Sequence, residues 1–114
     1  MRLTTAALML AATTVPALAH HGWSSYDANS VLTLTAPIIE ANYAYPHSDI
    51  MIEAEGQLWH VILAPPSRME TRGIAPEELA VGTEVTVVGY PSTVEESELR
   101  AESITLNGRT VQLR

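Results

Sequence analysis

The sequence predicts an all-β fold with little helix: a small barrel of five or six short strands, with one short helix after the third. Three observations predict it. Apolar residues alternate with polar ones over short runs. Glycine, proline and asparagine punctuate those runs at turn spacing. The first run is long and changes parity midway, as a strand does where a small sheet bends to close on itself.

The elements follow in order. Residues 20–30 (HHGWSSYDANS) carry no period and end in turn formers, so they are expected to form an extended N-terminal arm. From Val31 to Tyr45 the chain alternates: Leu32, Leu34, Ala36 and Ile38 share one parity, and Ile39, Ala41, Tyr43 and Tyr45 the other. The switch falls near Pro37, which cannot donate to a ladder. One long strand with a bulge at residues 36–38 is expected. Tyr45-Pro46-His47 marks a corner. Ser48–Ala54 and Leu58–Ala64 then form a hairpin across Glu55-Gly56-Gln57. Pro65-Pro66 stops it. Ser67–Gly73 reads as a short helix, capped by Ser67 with Glu70 three residues on. Thr83–Tyr90 is a fourth strand and Leu99–Leu106 a fifth. Asn107-Gly108 is a type I′ turn signal leading into a last short strand, Thr110–Leu113. Three strands, a helix and then two or three strands fit a Greek-key barrel of the OB type, with residues 31–114 as the barrel domain. An open sandwich or incomplete barrel is the other arrangement the order allows.

Residues 1–19 read as a secretory signal peptide. Arg2 supplies the positive start, Ala6–Ala12 the apolar stretch, and Ala17-Leu18-Ala19 the small-x-small cleavage site. The apolar run is too short to span a bilayer, so no retained membrane anchor is expected. Cleavage after Ala19 would leave a periplasmic chain beginning at His20. That chain has no cysteine, so disulfides and thiolate metal sites are excluded. It carries five arginines and no lysine against thirteen acidic residues, a side-chain charge of −8. Such a balance repels phosphate backbones, and no basic stripe with interleaved aromatics is present, so nucleic acid is excluded as a partner. Glu95, Glu96 and Glu98 read as a charged loop. Arg68 and Arg72 share a helix face and are expected to pair with Glu70 or Glu77.

Several of these segments also resemble a known family. They are Ala19-His20-His21, Tyr26-Asp27, Val31-Leu32-Thr33-Leu34-Thr35, Pro46-His47, Trp59, Ala64-Pro65-Pro66-Ser67 with Arg72-Gly73, and Gly82 to Val87. In that order and spacing they resemble a family of small proteobacterial periplasmic proteins known as a domain of unknown function. The resemblance implies an exported OB-like barrel and no established activity. Family members often show Asn-Pro-His-x-His at the first corner; here it reads Tyr45-Pro46-His47-Ser48-Asp49. Asp49 would have to stand in for the second histidine.

The four histidines carry the chemistry: His20, His21, His47 and His60. A histidine at a free N-terminus offers its α-amine and its ring Nδ1 to one metal ion. A second histidine completes a three-nitrogen, T-shaped set, a histidine brace, whose planar geometry suits Cu(II). His47 and Asp49 are two apart at a strand start, so they share a face. The expected site is therefore His20, His47 and Asp49, with His21 or His60 as the alternate ligand. The pairing is similar to that of periplasmic copper carriers in ligand set alone, and there the local order is reversed. Copper(II) is the expected metal and zinc the alternative, since imidazole suits both. Met51 and Met69 are unclustered and read as core filler. The role expected is copper carriage or homeostasis, handing metal to another periplasmic or membrane metal-handling protein.

Each residue also has a plainer reading. His21 fits a surface arm, His47 a turn, Asp49 a backbone cap, and His60 the polar side of the Trp59-His60 pair. The competing function is an OB groove for a small molecule or partner protein with no metal, lined by Trp23, Trp59, Tyr43, Tyr45 or Tyr90. Ser24 and Ser25 near His20, His21 and Asp27 lack a nucleophile elbow, so no hydrolase is expected.

Overall fold

In the computed structural model, which describes residues 23–114, the alternation becomes six strands. They are β1 (Leu32–Asn42), β2 (Asp49–Ala54), β3 (Gln57–Ile62), β4 (Glu84–Pro91), β5 (Glu98–Leu106) and β6 (Arg109–Gln112). Hydrogen bonding runs β3-β2-β1-β4-β5-β6, and β3 also pairs with β5. That extra pairing is parallel and spans His60↔Glu98 to Ile62↔Arg100. It joins β3, at one end of the run, to β5 and closes β1, β2, β3, β5 and β4 into a five-stranded barrel. β6 adds to the far end of β5, along the edge that β3 leaves unused.

The closure depends on β1. Its first half pairs with β4, from Leu32↔Gly89 to Pro37↔Glu84. Its second half pairs with β2, from Ile38↔Ile52 to Asn42↔Asp49. Between the halves the register slips, between Ile38 and Glu40. The bulge expected at residues 36–38 thus lies just beyond Pro37. Leu34, Ala36 and Ile38 all stay inside, whereas Ile39 is 47% exposed. The parity change turns the second half outward and leaves Tyr43 to reach back onto the core.

Inside, period-2 burial gathers Ile38, Ile50, Ile52, Val61, Val85, Val87, Leu99 and Ile104, all at 1% exposure or less. Met69 and Ile74 plug the same core from the β3–β4 connection. Two backbone details hold the strands in register. Asn107 and Gly108 both take positive φ, 48° and 77°, as a type I′ turn requires. Gly89 stands at a second register slip, and any Cβ there would strike the carbonyl oxygen of Arg100.

The helix α1 spans Pro66–Thr71 and differs from expectation at its start. Pro65 is the N-cap and Pro66 the first helical residue, with no side-chain cap. Ser67 lies inside the helix, where its carbonyl accepts from the Thr71 hydroxyl at 2.9 Å. Proline needs no N–H partner at a helix start, so the cap expected from Ser67 is not required. Arg68 and Arg72 do not pair with Glu70 or Glu77 in the ion pairs of the described residues. They donate to the carbonyls of Leu113 and Arg114, at 3.4 and 3.1 Å, and so tie α1 to the strand end that β6 leads into.

The described part of the arm is not extended. Trp23–Ser25 forms a single 3-10 turn. Tyr26 then bridges to Ser92, Asp27 N–H donates to Pro91 O at 2.9 Å, and Thr93 N–H donates to Ser25 O at 2.8 Å. The segment is docked on the β4–β5 corner. No helix among the described residues is long and apolar enough to cross a membrane.

Candidate functional site

The outward face of β2, β3 and β5 carries the polar chemistry. Strand register sets it out in two rows. One runs Asp49↔Ile62↔Arg100↔Tyr90, and the next runs Met51↔His60↔Glu98. Because side chains alternate, the residues between them (Ile50, Val61, Leu99) point inward and are fully buried.

His60 is the centre of the strip. Its Nε2 lies 3.0 Å from Asp49 Oδ2, a diagonal neighbour across the β2–β3 ladder. Its Nδ1 lies 3.5 Å from Glu98 Oε1, across the parallel seam. A neutral imidazole has one N–H and can donate to only one of these carboxylates, which leaves the other nitrogen as an acceptor. The His60 side chain is 38% exposed. A pair this exposed contributes under about 1 kcal/mol to folding. Glu40, Ala41, Asn42, Asp49, Met51 and His60 together line an open cleft of about 450 Å³.

Glu98 connects this strip to the arm. The Tyr26 hydroxyl donates to Glu98 Oε2 at 2.8 Å. Burial first, then that hydrogen bond, pushes the Tyr26 phenol well above its usual range. Trp23 covers Arg100, whose Cζ lies 4.5 Å from the ring centroid, and the Arg114 Cζ lies at 4.8 Å. Tyr90 meets Trp23 edge-on at 5.8 Å and donates to Glu102. Burial, reinforced by the nearby charges of Arg68 and Arg114, lowers the Arg100 guanidinium from its usual range. The Tyr90 phenol is raised, mainly by its bond to Glu102. At the arm's exit, the Ser30 hydroxyl and then the Asn29 N–H hold the Asp27 carboxyl below its usual range.

The candidate residues separate in the fold. Asp49 and His60 come together in the cleft. His47 lies ahead of β2, half-buried just after the cis Tyr45-Pro46 bond, and is not among the cleft-lining residues. His20 and His21, with the predicted signal peptide, lie outside the described residues. Among the described residues, no three His, Asp or Glu side chains are grouped so as to hold a metal. Trp59 packs against the core, Tyr43 too, while Tyr45 is exposed. Two residues differ from their sequence reading. Glu98 is a strand residue against His60 rather than part of a charged loop. Met51 is outside the core cluster and lines the cleft opposite His60. The outward parity of Met51, between Ile50 and Ile52, is the signal that could have found it.

A closed five-stranded barrel with a sixth strand and one short helix defines the chain as an OB-like domain. It belongs to DUF6152, a family of unknown function, whose model matches residues 7–99. No curated protein matches it. Among solved structures it is similar to a chain of the S. pombe Stn1–Ten1 complex, at 14% identity and a TM-score of 0.54 over 67% of this chain. It is also similar to a chain of the complex of TiaS with a transfer RNA and ATP, at 16% identity and a TM-score of 0.53 over 71% of this chain. It spans 57% and 19% of those two chains. At such identities the likeness is one of fold.

Proposed function

We propose that this chain is an exported periplasmic copper(II)-binding protein that completes its metal site with its own N-terminus. Signal cleavage after Ala19 frees the amine of His20. That amine and the His20 ring chelate the ion, and His60 Nε2 and Asp49 add the remaining ligands. The Asp49–His60 pair at the open cleft carries the reading, 3.0 Å apart and accessible to solvent. Two features support it. A metal at Nε2 would displace its 3.0 Å bond to Asp49, and Glu98, 3.5 Å from Nδ1, is placed to take the ring N–H and orient the imidazole. The arm is anchored near enough: Trp23 lies over Arg100 on β5, two strand spacings or about 10 Å from β2. Three extended residues, from Trp23 back to His20, span about 10 Å. Copper is favoured over zinc because an amine and two imidazoles make a planar nitrogen set. The role that fits is carriage to another metal-handling protein.

The test uses protein produced through its own leader, with the first residue confirmed by mass. Cu(II) titration is expected to give one tight site with a d–d absorption band. Binding is expected to collapse in His20→Ala and when one residue is added ahead of His20. It should weaken at least tenfold in His60→Gln. Tight binding indifferent to all three changes overturns the proposal.

A further inference from the structure

Met51 is out of place for a packing residue. It projects from the outer face of β2 between inward Ile50 and Ile52, and takes no part in the core cluster. Glu40 pairs with it on one side and His60 on the other. All three line the open cleft. Met51 is half-buried there, with its thioether between a carboxylate and an imidazole rather than against the core. Its distinguishing property is softness.

We infer that Met51 is a metal ligand and that the cleft binds Cu(I) through Met51 Sδ and His60 Nε2. This rests on the copper reading above and extends it to the reduced ion. Directly opposed residues on antiparallel strands hold their Cβ atoms about 5 Å apart. Met51 has three rotatable bonds beyond its backbone, so its sulfur can meet the ring nitrogen around one small ion. Thioether and imidazole nitrogen suit Cu(I), which carboxylates suit poorly. Asp49 therefore leaves Nε2 when Cu(I) arrives, and Glu98 keeps the ring oriented through Nδ1. The N-terminal amine is not needed. Cu(II) draws on His20 and Asp49, Cu(I) on Met51, and His60 serves both.

The experiment measures both ions on the processed protein and on Met51→Leu, a volume-conserving substitution at a half-buried position that circular dichroism can confirm as folded. Cu(I) is supplied anaerobically against a chromophoric Cu(I) chelator, and Cu(II) is titrated separately. Met51→Leu is expected to lose at least tenfold in Cu(I) affinity and to keep Cu(II) affinity within about threefold. X-ray absorption of the Cu(I) form is expected to show a sulfur neighbour that Met51→Leu lacks. His20→Ala should retain Cu(I) binding while losing Cu(II), so the two proposals fail separately. Equal Cu(I) affinity in wild type and Met51→Leu overturns the inference, as does Cu(I) binding that requires His20 but not Met51.

Discussion

Ile50 and Met51 are adjacent in β2 and meet opposite surroundings. Ile50 faces an interior of aliphatic side chains with 0% of its surface exposed. Met51 faces Glu40, His60 and an open cleft. The same contrast separates Val61 from His60 and Leu99 from Glu98. On the inward side, shape and area set the free energy, and little chemistry is possible. On the outward side the groups contribute little to folding, and their arrangement is free to serve a ligand. The barrel is thus a stable backing that holds a weakly stabilising strip in register.

Substitutions on the two sides should separate these roles. The largest loss is expected from Ile50→Ala, which empties a fully buried site: about 4 kcal/mol by urea unfolding, within the range of core truncations. Gly89→Ala should follow at about 2–3 kcal/mol, because the added methyl must push the Arg100 carbonyl aside. A change under about 0.5 kcal/mol in either, the size of an ordinary surface effect, would break the contrast. Tyr26→Phe removes one charge-assisted bond from the arm and should cost about 1–2 kcal/mol. That bond also has a pH signature. The folded phenol titrates above the unfolded one, near 10. Its contribution is therefore whole below about pH 10 and lost as pH rises past it, when the unfolded chain ionises first. In a Trp59→Phe background, Trp23 fluorescence should report arm release at alkaline pH. Tyr26→Phe should reduce the pH dependence of the arm's stability, leaving the part due to Tyr90 beside Trp23. The smallest folding effect is expected from His60→Gln, under about 1 kcal/mol. There, stability and copper affinity should part company. If His60→Gln unfolds the barrel as Ile50→Ala does, the outer strip is structural after all.

Much of the inward side is legible in the sequence. Alternation alone places Leu34, Ile50, Val61, Val87 and Ile104, and Asn107-Gly108 announces its turn. The short helix is visible between its prolines and Gly73, though not its cap, because Pro66 at the first position removes the need for one. The outward side is less legible. Asp49 and His60 each stand out as candidates, but their contact depends on a diagonal across β2 and β3 that sequence spacing does not reveal. Glu98 meets His60 only through a parallel pairing of strands 38 residues apart in register. The arm's seat on Arg100 and Tyr90 has no periodic signal, because one 3-10 turn and a few side chains make it.

The parallel seam is short, and His60↔Glu98 is its first rung. The side chain proposed to hold copper therefore sits where the barrel closes. A Cu(II) ion held by Asp49 and His60 on β2 and β3 and by His20 of the arm seated over β5 would bridge that seam, so its occupancy and closure are thermodynamically linked. With ion at about a hundred times its Kd, closure gains about 2.7 kcal/mol. Amide exchange at Val61 and Leu99 should then slow on loading even though neither residue touches the ion.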